Sequence, residues 1–307
     1  MPANLSSSPP SSPPPPQRLP EVIHSPSALQ ARMINARATG ATIGFVPTMG
    51  ALHDGHAALL DEARRRADIV VLSIFVNPTQ FGHADDLAKY PRTLQADTAI
   101  AARSGADIVF APAADEMYPV GFDTKLLAGQ LANDLEGADR AGHFDGVLTV
   151  VNLLFSIVQP HFAVFGEKDY QQLLLVKRMT QDLRLPVEIV AMPVIRELDG
   201  VAMSSRNARL SSVDRERARA LSRALVAGQD ALQRGELEAR AIAQAARSTL
   251  AATSPEAVIH YVEVRDARHL LPVARVEHTA RLLIAATIGG VRLIDNGPLF
   301  PGISWNG

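Results

Sequence analysis

The 307-residue chain contains no cysteine. That excludes disulfides, cysteine-ligated zinc and a thiol nucleophile, and it agrees with a reducing compartment, so a cytoplasmic location is expected. A surplus of either charge is also missing, since 30 lysines and arginines stand against 32 aspartates and glutamates. No strong global field points to nucleic acid or to an anionic membrane surface, and any bound anion needs a local site. Long apolar runs are absent as well. The stretch 69–76, interrupted only by Ser73, falls far short of the roughly 20 residues that span a bilayer. Such runs read as buried strands.

What the chain does have, at its start, is proline and serine: eight and five of them in the first twenty residues. Residues 1–20 carry too little apolar surface to offset their ordering entropy and are read as a disordered tail. They lack the basic start and apolar centre of a secretory signal and the arginine-rich pattern of a transit peptide. At roughly 150 residues per domain, the length suggests two domains. In the first, 21–194, β-branched runs at 42–46, 69–76, 107–110, 162–165 and 187–190 alternate with helical patterns at 55–66, 93–104, around 147–158 and 170–182. This predicts an α/β fold with five parallel strands and covering helices. After Pro193 the texture turns to alanine- and arginine-rich helix, with Leu221, Leu225 and Leu232 on one face and Gly235 as a stop. The second domain, 195–307, ends in an antiparallel hairpin through Gly289-Gly290.

In open parallel sheets ligands bind beyond the carboxyl ends of the strands. Three segments there are unusually polar: PTMGALHDGH (47–56), NPTQFG (77–82) and GEKD (166–169). His53 and His56 lie three apart at a helix start, where the dipole favours phosphate and imidazoles can donate to its oxygens. The Gly50-to-Gly55 spacing imitates a phosphate-cradling loop, but His56 stands where a P-loop needs lysine. Two surface histidines near a cap are the bland alternative; a zinc site is another, without a third ligand at suitable spacing. Lys168 suits neutralisation of a phosphate and Asp169 suits ribose hydroxyls, although Glu-Lys-Asp read alone is a solvated turn. MSSR (203–206) offers two hydroxyls and a guanidinium, or simply a turn before a helix capped by Ser211. Gln80 and Gln172 are neutral amides suited to a hydroxy acid.

Together VPTMGALHDGH (46–56), SIFVNPTQF (73–81), YPRT (90–93), FGEKDYQQ (165–172) and MSSRN (203–207) resemble the pantothenate synthetase, or pantoate–beta-alanine ligase, family over roughly residues 20 to 300. The resemblance implies a Rossmann-like sheet of the H-x-G-H nucleotidyltransferase type, a smaller α+β C-terminal domain closing over it, and a cytoplasmic homodimer. It implies ATP, pantoate and beta-alanine as substrates, Mg2+ accompanying ATP, and a pantoyl adenylate intermediate. By similarity Met49, Gly50, His53 and His56 contact ATP, with His56 at the family's proton-donor position and His53 its partner on the phosphates. Gln80 and Gln172, with Asn77 beside them, hold pantoate, and Gln80 also faces beta-alanine. Gly166, Glu167, Lys168 and Asp169 form the second nucleotide segment, Ile195 meets adenine through its backbone, and Met203, Ser204, Ser205 and Arg206 close on the triphosphate. The chain departs from the family where an acidic run implicated in magnesium binding is reduced to Asp97, and where Asp54 replaces a glutamate. Another H-x-G-H nucleotidyltransferase, acting on a phosphate ester, is the alternative reading; a nucleotide-binding regulator with an inactive site is a third.

Overall fold

The computed structural model describes residues 19–82 and 87–301; residues 1–18, most of the expected tail, lie outside the described residues. Six strands form one parallel sheet: β1 (Glu21–Ile23), β2 (Ile43–Thr48), β3 (Ile69–Ile74), β4 (Ile108–Phe110), β5 (Phe162–Gly166) and β6 (Glu188–Met192). Five of them match the expected runs. The extra one, β1, has three residues and a single buried side chain, too short for any two-residue periodicity to show.

Alternation along the strands builds the layers. Phe45, Val71, Ile108, Ala163 and Phe165 face one side, where the helices Pro26–Ala38, His143–Val158 and Tyr170–Asp182 cover them. Their neighbours Val46, Val70, Leu72, Val109, Phe162 and Val164 face the other side, against Leu60 and Ala63 of the helix Asp54–Arg66 and Ala101 of the helix Leu94–Arg103. The helix His143–Val158 begins four residues before the expected 147, because His143 and Phe144 are themselves buried.

Sheet order is β1-β4-β3-β2-β5-β6. From β2 the chain steps outward through β3 and β4, then returns to the other side of β2 for β5 and β6. Strand order therefore reverses between β2 and β5, and the crevice at their carboxyl ends is the place this topology offers to a ligand. The H-x-G-H loop leaves β2 and the Gly-Glu-Lys-Asp segment leaves β5, so the reversal brings them together.

A second apolar core forms between an antiparallel sheet and two helices. The strands are β7 (Val258–Asp266), β8 (Ala280–Ile288) and β9 (Val291–Leu299), with β8 in the middle and the expected Gly289-Gly290 turn joining β8 to β9. The helices Ala220–Gln233 and Ala239–Thr253 bury Leu221, Leu225, Leu232, Ile242 and Leu250 against it. Ser211 caps a short preceding helix by accepting from the Asp214 amide at 3.1 Å. Among the described residues no helix is long and apolar enough to cross a membrane.

Candidate active site

The loop after β2 is held by its own side chains and by one carboxylate from another helix. The Gly50 amide donates to Thr48 Oγ1 at 3.2 Å, and the amides of Ala51 and Leu52 donate to the Asp97 carboxylate at 3.0 and 2.8 Å. Asp97 is 1% exposed and takes a third bond from Thr93 Oγ1 at 3.1 Å. Gly50 has φ +85°, and a Cβ there would meet Asp97 Oδ2 and Ile74 at 3.0 Å, so glycine serves both the turn and the carboxylate's approach. Ala51, at φ +51°, occupies the left-handed region without glycine's freedom, and its bond to Asp97 offsets that strain.

His53 caps the helix Asp54–Arg66: its Nδ1 accepts the Gly55 amide at 3.1 Å, while its own amide donates to His56 Nδ1 at 3.3 Å. A backbone N–H only donates, so each Nδ1 is an acceptor and a neutral ring carries its proton on Nε2. The rings lie 4.1 Å apart between centroids. A Cβ at residue 55 would sit 2.9 Å from the His53 ring, which is why a glycine separates the pair. Burial, then Lys168, lowers the pKa of His53; burial, then His53, brings that of His56 down to about 3. Both rings are neutral at pH 7 and present N–H donors to an anion. The amides of residues 50–53, 55 and 56 all have acceptors in the loop or on Asp97, so they form no open backbone cradle for an anion.

The other loops converge on this point. Gln80 ends a 3-10 turn after β3, is 7% exposed, and directs Nε2 at Met49 Sδ, 3.1 Å away. Asn77 is buried beneath it, donating to Gln80 Oε1 at 3.0 Å and to the Gly146 carbonyl at 3.1 Å while accepting from Tyr118 at 2.8 Å. Arg140 donates to His143 Nε2 at 3.1 Å, and His143 Nδ1–H donates to the Gln80 carbonyl at 2.8 Å. Burial, then Arg140, lowers the pKa of His143 to about 4. Lys168 and Asp169 form the turn after β5 and line a cleft with Arg140, His143, Gln172 and Arg206. Burial works against the Asp169 charge, but Lys168, Arg206, His143 and Arg140 outweigh it and hold its carboxyl below the usual aspartate range. The segment from Ile195 folds back on itself, Met203 donating to the Ile195 carbonyl at 2.9 Å. Met203 thereby lies against Gly55, and Ser205 stands beside the half-buried Tyr90.

A profile of the family described as pantoate-beta-alanine ligase matches residues 21–298. The chain belongs to the pantoate–beta-alanine ligase family. It is 49% identical to the pantothenate synthetase of Trichlorobacter lovleyi over 276 residues, covering 90% of this chain and 97% of that one. The crystal structure of the Thermus thermophilus pantothenate synthetase superposes with a TM-score of 0.87 at 44% identity, covering 92% of this chain and all of that one. The Francisella tularensis ligase, solved with an ATP species and beta-alanine, superposes at 0.75 with 34% identity, covering 93% and 99%.

Seen as a member of this ligase family, the chain brings most of the expected residues to one rim: Met49, His53, His56, Gln80, Lys168, Asp169, Gln172, Met203, Ser205 and Arg206. Others do something different from what was expected. Glu167 gives its carboxylate to Arg281 at 2.7 Å, and Asn77 is a buried support for Gln80. Asp97 spends both oxygens on the loop amides. Among the described residues no cluster of three or more histidines and carboxylates forms that would hold a metal, so they build no all-protein cage for magnesium. Arg140, His143 and Tyr90 are not singled out by the sequence; Tyr90 lies inside the YPRT motif, whereas Arg140 and His143 directly flank nothing more distinctive than Ala141-Gly142.

Proposed function

We propose that this protein condenses pantoate with beta-alanine to pantothenate through pantoyl adenylate, releasing pyrophosphate and then AMP. The observation that carries it is the pair of neutral Nε2–H donors at the head of the helix, with Lys168 beside them at the sheet's reversal point. Pantoate's carboxylate attacks the α-phosphorus of ATP, and the bond to the β-phosphate oxygen breaks. His53 and His56 donate to the phosphate oxygens, Lys168 and Arg206 offset the charge gathering on the departing pyrophosphate, and Gln80 and Gln172 hold pantoate in line. The amine of beta-alanine then attacks the activated carbonyl, forming the amide and expelling AMP. Met203 to Arg206, of which Met203 lies against Gly55, are suited to exclude water from the adenylate.

Magnesium in this reading arrives with the nucleotide, since the chain builds no cage for it. A cytoplasmic homodimer remains part of the reading on family grounds. The test is pantoate-dependent exchange of labelled pyrophosphate into ATP without beta-alanine. Exchange that requires pantoate supports the adenylate; exchange independent of pantoate, or absent while pantothenate is formed, contradicts it.

A further inference from the structure

Strands β8 and β9 line the second apolar core, yet they bury Arg281, Asp295 and Asn296 at 5%, 3% and 3% exposure. Burying such groups is costly unless their hydrogen bonds are met, and here the partners lie mostly outside the antiparallel sheet. Asn296 Nδ2 donates to the carbonyls of Glu167 and Lys168, at 2.9 Å each. Those carbonyls lie in the turn that leads into the helix Tyr170–Asp182, so the two bonds tie the helix entry to the C-terminal sheet. Arg281 donates through Nε to Asn296 Oδ1 and through a terminal nitrogen to the Glu167 carboxylate, both at 2.7 Å, while its guanidinium stacks 4.0 Å from the Tyr170 ring centroid. Asp295 accepts a two-pronged bond from Arg196 at 2.7 and 3.0 Å, next to Ile195. Adjacent residues of β9 thus reach both segments of the nucleotide rim.

We propose that Asn296 and Arg281 are positioning residues for the reaction: from the C-terminal sheet they fix the Glu167–Asp169 turn and so aim Lys168 at the nucleotide. The turn has three residues and no side-chain cap of its own; two carbonyls bound to one amide leave its backbone a single arrangement. Arginine is needed at 281 because only a planar fork reaches Glu167 and Asn296 together. The proposal rests on the reading of Lys168 as the group that offsets phosphate charge.

The experiment is a double-mutant cycle between Asn296→Ala and Lys168→Ala, read as kcat/KM for ATP in pantoate-dependent pyrophosphate exchange. Asn296→Ala alone is expected to lose about tenfold, and less than about twofold when added to Lys168→Ala, because it acts through that lysine. An equal loss in both backgrounds, or no loss in a folded Asn296→Ala protein, overturns the proposal while leaving the function intact. Full activity of Lys168→Ala would instead remove the functional reading on which it rests. Should Asn296→Ala fail to fold, Arg281→Lys, which keeps the charge but not the fork, takes its place with the same pattern expected and the same results counting against it.

Discussion

The two loops that meet at the reversal point are held in opposite ways. The loop after β2 is stabilised by its own neighbours: His53 and His56 bond the backbone within three residues, and Asp97 supplies the one distant anchor. The turn after β5 is held from more than a hundred residues away, by Arg281 and Asn296. The histidine side is therefore preorganised by local chemistry, and the lysine side depends on the C-terminal sheet being docked.

Removing the chemistry on either side tests whether both are needed. His56→Ala and Lys168→Ala should each lower turnover by roughly 10²–10⁴ in steady-state assays, the scale for losing a proton-donating or charge-stabilising group. Wild-type turnover in one of them would leave only the other loop with a role. Taking away the distant anchor of the first loop should cost less. Asp97→Ala leaves the Ala51 and Leu52 amides without acceptors, which should lower unfolding free energy by about 1–3 kcal/mol and kcat/KM for ATP by roughly 10–10². Excess magnesium should not restore it; recovery at high magnesium would show that Asp97 serves a cation instead of the loop.

Much of this contrast was legible in the sequence, and the physics explains which part. The β2 loop is a local object: a glycine-flanked histidine pair at the end of an apolar run announces itself within eleven residues. The other five strands were equally visible from their apolar runs. What the sequence concealed depends on long-range pairing. Arg281 and Asn296 sit in strands whose apolar pattern suggests only a core, Arg140 and His143 precede a helix whose visible periodicity starts later, and Asp97 looked like the remnant of a cation site until its oxygens were found on the loop amides.

The smallest expected difference between the loops is their response to acid. His56 has a folded pKa near 3 against 6.5 when unfolded, so between those values the unfolded chain binds the extra proton, and stability falls as pH drops through that window. Thermal melting from pH 7 to pH 4 should therefore decline less steeply in His56→Asn than in the wild type; identical slopes would mean that the ring is not held neutral.

The account's central claim is that the carboxylate of pantoate attacks the α-phosphorus of ATP between these two loops. It is tested most directly with pantoate carrying ¹⁸O in its carboxyl group and mass spectrometry of the AMP formed with beta-alanine. One labelled oxygen in AMP is the predicted result, and AMP free of label would contradict it.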